Sequence, residues 1–260
     1  NDDLAGRMVA GGTVPGEFYR NVYPLIVNRT MYNGLKSVGS SRMILTRSAF
    51  AGAQKYGVAT WSGDVGNDWE TFRRQIAAGL SQMACGLPWW TFDAGGFFRP
   101  GDQYADPDYQ ERMIRWIEAA AFLPLMRVHG YMSRTEPWNY SGQTSGIFEK
   151  YIRLREEMRP YILECAKKVS EEDWTMMRPL VFDFPDDSDA LAQDCEFMFG
   201  PDYLVAPVTE AGARSWKVYL PKNRQGWTYK WTGETYPGGT YVTVPAALDI
   251  IPVFVRGKAE

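Results

Sequence analysis

The feature that most constrains the fold is a change of texture near Arg178. Before it, helical patterns alternate with short apolar runs. Phe18–Lys36 places Phe18, Val22, Leu25, Ile26, Met31 and Leu35 at roughly helical spacing. Arg42–Thr46, Val58–Trp61 and Pro88–Phe92 read as buried strands. Asp68–Cys85 predicts a helix with Asp68 as its N-cap and apolar positions at Phe72, Ile76 and Leu80. Pro107–Phe122 predicts another, opened by Asp106 before Pro107. Phe148–Val169 predicts a long amphipathic helix with a break at Pro160. From Arg178 on, short β-like runs follow: Pro179–Phe184, Tyr203–Val208, Trp216–Leu220, Gly226–Trp231, Thr240–Val244 and Ile251–Val255. Turn signals such as Pro185-Asp186-Asp187, Gly212 and Gly238-Gly239 separate them.

Strand–helix alternation is the pattern of a parallel α/β unit. About four strands fit before the change, which suits either half a barrel or a small open sheet. The later runs predict an all-β sandwich. The expected fold class is α/β followed by all-β, with domains at 1–175 and 176–260. If the first is a barrel, its chemistry sits on loops at the C-terminal ends of the strands. That directs attention to Arg47, Asp64 and Asp93, and to Arg127 and His129 after the run FLPLM.

Composition narrows the classes of function. The formal net charge of −3 is spread without a basic run, which argues against nucleic acid and anionic membrane as partners. No apolar run reaches about 20 residues, so no transmembrane helix is expected. Three cysteines, an odd count without CxxC spacing, argue against a disulfide framework or a zinc site. The single histidine cannot belong to a multi-histidine metal centre. Aromatic residues make up 15% of the chain, which suits either a well-filled core or packing against sugar C–H faces. The chain opens on Asn1, not Met, so its N-terminus reads as cut and says little about export, and sequons occur at Asn28 and Asn139.

The candidate residues each have two readings. Asp64, in the turn Trp61-Ser62-Gly63-Asp64, is either a turn residue or a carboxyl partly desolvated by Trp61 and suited to general acid work. Arg47 is either one half of a structural ion pair or a fork aimed at hydroxyls or a carboxylate. Asp93, before Gly95-Gly96, reads as a turn residue accepting backbone N–H bonds, or as a group placed at a strand end for chemistry. His129 is either packed or catalytic. No phosphate-binding glycine loop and no Gly-x-Ser-x-Gly elbow is present.

The stretch Leu45–Phe97, LTRSAFAGAQKYGVATWSGDVGNDWETFRRQIAAGLSQMACGLPWWTFDAGGF, resembles the core of glycoside hydrolase family 31. An Arg-Ser segment precedes an aromatic-x-Gly-Asp by 17 residues, and a helix then leads to an aromatic strand ending in Asp-x-Gly-Gly-Phe. MRVHG (126–130), EFMFGPDYLVAPV (196–208) and PVFVRGK (252–258) are similar to later segments of that family. The resemblance implies the second half of a (β/α)8 TIM barrel, about strands five to eight starting at the end of strand four, plus a C-terminal β-sandwich.

It further implies a retaining, exo-acting α-glycosidase that needs no metal or organic cofactor and acts on an oligosaccharide. Asp64 matches the acid/base. Arg47, Trp61, Asp93 and His129 match positions that line the sugar pocket. Asp2 matches the nucleophile, with Asp3 competing for the role. Retaining enzymes need two carboxyl groups about 5–5.5 Å apart, one ionised and one protonated. The segment Arg127-Val128-His129-Gly130, followed by Glu136-Pro137-Trp138, is closer to the α-xylosidases than to the α-glucosidases, with α-galactosidase a further member activity. A non-catalytic carbohydrate-binding protein on a degenerate barrel is the reading from another class. The resemblance also implies a piece of a longer chain, inactive alone, and leaves room for a homo-oligomer of the full-length enzyme.

Overall fold

The computed structural model describes residues 8–9, 12–40, 43–140 and 142–257. A small antiparallel pair, β1 (Met8–Val9) and β2 (Val14–Pro15), leads into α1 (Gly16–Ser37). Three short strands follow, β3 (Ile44–Thr46), β4 (Val58–Trp61) and β5 (Trp90–Thr91), in one parallel sheet of order β3-β4-β5. α2 (Trp69–Ala84) crosses over between β4 and β5. α3 (Pro107–Ala120) follows β5, and α4 (Gly142–Glu157) and α5 (Arg159–Glu171) follow in turn. The caps sit where the sequence places them. Asp68 accepts from the Thr71 amide at 2.8 Å, and Asp106 accepts from the Asp108 amide at 3.0 Å ahead of Pro107. The long helical pattern is divided at Met158, and Pro160 stands in the first turn of α5, where its missing N–H costs nothing.

One expectation for this half, a fourth strand, needs correction. The run FLPLM is not a strand. Phe122 and Leu123 close turns on Ala119 and Ala120, and Arg155 takes the carbonyls of Ala121, Leu123 and Pro124 at 2.6–2.9 Å. Those carbonyls are lost to a ladder. Only the end of the run follows β5, through Leu125 N to Trp90 O (3.4 Å) and Ala94 N to Arg127 O (3.3 Å). In α1 the helix is as expected but its apolar face is not covered: Phe18, Ile26 and Met31 are exposed. Its described apolar partners are few, a small cluster in which Leu25 meets Ala53, Val58 and Leu87.

The C-terminal part holds β6 (Met177–Pro179), α6 (Ser188–Leu191), β7 (Phe197–Phe199), β8 (Tyr203–Val205), β9 (Ser215–Leu220), β10 (Trp227–Tyr229), β11 (Thr235–Tyr236), β12 (Thr240–Pro245) and β13 (Val253–Arg256). Six of these strands form a sheet of order β11-β10-β13-β8-β7-β6, and β12 pairs with β9 in a second. The expected strand Pro179–Phe184 is a short strand followed by a tight turn, because Arg178 reaches over to Asp183 at 2.8 Å and folds the chain back.

The larger sheet is buried on both faces. Along β7, Phe197 and Phe199 enter the core shared with α2 and α3, while Met198 enters the core closed by Val218, Leu220 and Val244 of the second sheet. The period of two along a strand sends alternate side chains to the two cores, so β7 reads as unbroken apolar sequence. One charged residue ties the halves together. Arg115 of α3, fully buried, pairs with Glu118 at 3.0 Å and donates to the carbonyls of Ala213, Ala246, Ala247 and Ile250.

Candidate active site

The residues singled out after the strands lie along one edge of the parallel sheet. Arg47 follows β3, Asp64 follows β4, Asp93 follows β5, and Arg127 and His129 follow the extended passage beside it. Parallel strands in register deliver successive loops to the same end, so distance along the chain collapses there. Arg47 Nη1 lies 3.4 Å from Asp64 Oδ2, with side chains 59% and 37% exposed. Gly63 makes that approach feasible. Its φ is +83°, so the conformation favours glycine, and a Cβ there would sit 2.9 Å from Arg47 Nε and push the guanidinium aside.

Asp93 is the opposite kind of carboxylate. It is fully buried, and Arg127 Nη1 stands 3.0 Å from its Oδ1. The approach is off the hydrogen-bonding direction, and neither carboxylate oxygen has a hydrogen-bond partner among the described residues. Burial pushes the Asp93 carboxyl above its ordinary range, Arg127 and His129 pull it back, and the charge of Asp64 adds to the rise. The Arg127 guanidinium also lies over the Trp61 ring, 5.1 Å from its centroid. Trp61, Arg127 and Asp93 therefore form a continuous wall. His129 is exposed, with its ring 5.6 Å from that of Phe97.

The desolvated carboxylate expected at Asp64 is thus found at Asp93. Trp61 turns its ring to Arg127, and Asp64 stays in contact with solvent beside Arg47. From no described residue does the Asp93 side chain accept the backbone N–H bonds that a turn reading expects. Asp2 and Asp3 lie outside the described residues.

The sequence reading directed attention to Arg127 but left it out of the sugar pocket, and it passed over Arg99, Tyr104, Tyr109 and Tyr140. Arg99 gathers the loop after β5 and the loop of His129 onto one guanidinium. The signal available was local: an arginine two residues past a Gly-Gly-Phe turn, with no acidic residue beside it.

A cleft of about 580 Å³ lies elsewhere, between the start of α2 and β9, and no candidate residue lines it. Among the described residues no cluster of three or more His, Cys, Asp or Glu could hold a metal, and no helix is long and apolar enough to cross a membrane. A buried carboxylate with open acceptors, a cation and an indole beside it, and a second carboxylate one strand away can bind hydroxyl groups and exchange a proton with what is bound.

Comparison with known proteins bears on the chain as a whole. The model of the glycosyl hydrolases family 31 TIM-barrel domain matches residues 5–165, and that of the glycosyl hydrolase family 31 C-terminal domain matches 173–259. An α-xylosidase of Saccharolobus solfataricus is 42% identical over 245 residues, covering 94% of this chain and 33% of the relative. Alpha-glucosidase 2 of Bacillus thermoamyloliquefaciens is 32% identical over 240 residues, covering 91% of this chain and 29% of the relative. Among solved structures, a GH31 α-xylosidase from a soil metagenome complexed with xylose superposes with a TM-score of 0.86 at 38% identity, covering 92% of this chain and 38% of that one. The chain spans about a third of the length of these curated relatives.

Proposed function

The chain belongs to glycosyl hydrolase family 31, and from that premise we propose that it carries the acid/base side of a retaining, exo-acting α-glycosidase, with α-xylosides as substrates. The observation that carries this reading is Asp93: a buried carboxylate, neither oxygen hydrogen-bonded among the described residues, walled by Arg127 and Trp61, one strand from Asp64. An unpartnered buried carboxylate costs stability and is kept where a ligand supplies the missing donors. Sugar hydroxyls are such donors.

In the proposed reaction Asp2 attacks C1 of the terminal sugar and forms a glycosyl ester while the bond to the leaving oxygen breaks. Asp64 gives its proton to that oxygen. It then takes a proton from the incoming water, which attacks C1, releases Asp2 as a carboxylate and leaves the sugar with its original α configuration. Solvent contact suits Asp64 to both transfers, since leaving group and water arrive from the open side. Arg47, Trp61, Asp93 and His129 hold the sugar, and negative charge at Asp93 favours the oxocarbenium-like transition state.

The preference for xylosides rests on Val128 and Gly130 around His129 and on the α-xylosidases among the relatives, at 38–42% identity. An α-glucosidase is the second reading, supported by relatives of that name at 32–35% identity. The described residues form one wall of a pocket, so we propose that the 260-residue chain alone does not turn over substrate.

The test is a panel of aryl α-xyloside, α-glucoside and α-galactoside given to an active protein that contains this chain. The highest kcat/KM is expected for the xyloside, with α-xylose as the first product seen by NMR. A first product in the β form would overturn the retaining mechanism, and a higher kcat/KM on the glucoside would reassign the substrate.

A further inference from the structure

We infer that Arg99 is a positioning residue that fixes the Asp93 loop and the His129 loop in one geometry, an inference that rests on the reading of those two residues as sugar-holding groups. The Asp93 loop cannot hold its shape by side-chain packing, because two consecutive glycines follow. Gly95 and Gly96 have φ of +85° and +80°, and neither has room for a Cβ: at Gly95 it would run into Met113 Sδ, and at Gly96 it would meet Gly66 O at 2.5 Å. Such a turn aims its carbonyls inward, and each needs a donor.

Arg99 supplies most of those donors. Its Nη2 donates to Ala94 O at 2.7 Å and its Nε to Gly96 O at 3.0 Å, one bond on either side of the turn. Tyr109 donates to the carbonyl between them, Gly95 O, at 3.0 Å. Nη2 also donates to His129 O at 3.1 Å, and Nη1 donates to the Tyr140 hydroxyl at 3.1 Å. Every one of these acceptors is a carbonyl or a hydroxyl. The planar fork of an arginine can meet them at once, whereas a lysine offers one ammonium on a flexible stem.

The second loop is shaped to the same guanidinium. A Cβ on Gly130, the residue after His129, would lie 2.6 Å from Arg99 Nε. Beyond it, Tyr131 N donates to Phe97 O at 2.7 Å, and the Tyr104 hydroxyl both donates to Arg134 O and accepts from Arg134 N at 2.8 Å. Residues 94–99 and 129–134 thus meet on Arg99, and it sets how far the Asp93 carboxylate stands from the His129 ring. Positioning at this precision bears on rate, because a misplacement of about 1 Å can cost about 100-fold.

The experiment replaces Arg99 in an active protein that contains this chain. For Arg99→Met the expected result is a fall of about 100-fold in kcat with a smaller change in KM, with far-UV circular dichroism unchanged. Arg99→Lys should recover little, because charge without the fork cannot bridge the loops. Tyr140→Phe, which removes one of the four acceptors, should lower kcat in the same sense and by less. Should Arg99→Met fail to fold, Gly130→Ala displaces the guanidinium without removing it and should lower kcat likewise. Wild-type kcat and KM in folded Arg99→Met, or full recovery in Arg99→Lys, would overturn the inference. Asp64→Ala run alongside separates the two failures. An inactive Asp64→Ala with a normal Arg99→Met sinks only this inference, whereas a fully active Asp64→Ala sinks the reading of the site itself.

Discussion

Arg115 and Asp93 are both fully buried charges, and they are treated in opposite ways. Arg115 donates through both Nη atoms, to Glu118 and to four carbonyls from loops of the C-terminal part, and only its Nε has no partner among the described residues. Asp93 has a cation 3.0 Å away and not one hydrogen bond to either oxygen among the described residues. Burial of charge therefore does not identify a site. The first residue spends its terminal donors within the fold and joins its two parts. The second is held in want of donors, and that want is what a polyhydroxylated ligand relieves. Marginal stability makes such a group conspicuous, since a fold keeps few unpartnered buried charges without a use for them.

The contrast can be broken at four places. Arg115→Met leaves Glu118 buried without its cation and takes a donor from four carbonyls, of which Ala213 and Ala247 keep a second donor, so a loss of about 3–5 kcal/mol in unfolding free energy is expected from denaturant titration. A loss under about 1 kcal/mol would mean that the cluster does not hold the domains together. Asp93→Asn should do the reverse: stability within about 1 kcal/mol of wild type or above it, and activity down by about 100-fold or more. An Asp93→Asn variant that is both unstable and active would place Asp93 with the structural charges.

A third test concerns Glu196, whose Oε1 accepts from the Tyr219 amide while Oε2 has no partner among the described residues. Burial pushes its carboxyl up to about 8. The folded state then keeps a proton that the unfolded chain releases near pH 4.5. Stability from this group is full below that pH and falls by up to about 1.4 kcal/mol per pH unit as pH rises toward 8. Glu196→Gln should flatten that slope in melting experiments between about pH 5 and 8, and an unchanged slope would remove Glu196 as its source. The smallest effect belongs to Arg47→Ala. Its pair with Asp64 is largely solvated, so stability should change by less than about 1 kcal/mol while sugar binding weakens.

Helices α2 and α3 were legible because capping and apolar spacing agree at Asp68 and Asp106. The fourth strand was misread, because apolar sequence does not reveal that Arg155 has taken the carbonyls of a candidate ladder. The positions of Arg47, Asp64 and Asp93 at one sheet edge followed from strand ends alone, whereas His129 reaches that edge through the extended passage beside β5. Which carboxylate is buried did not follow, because it depends on where Trp61 and Arg127 turn, and no local spacing encodes that. Arg99 was invisible for the same reason: its partners are backbone atoms of residues 94, 96 and 129, brought together only by the fold.

The most direct test of Asp64 as the acid/base is the leaving-group dependence of Asp64→Ala in an active protein that contains this chain. Two aryl α-xylosides are compared, one with an acidic phenol and one with a poorly acidic phenol. Turnover of the second should fall by about 100-fold or more, as expected for loss of general acid catalysis. Release of the acidic phenol in the first, fast step needs no proton and should survive, and added azide should speed later turnover by replacing the water that Asp64 would activate. Equal turnover of both substrates at wild-type rates would contradict the assignment.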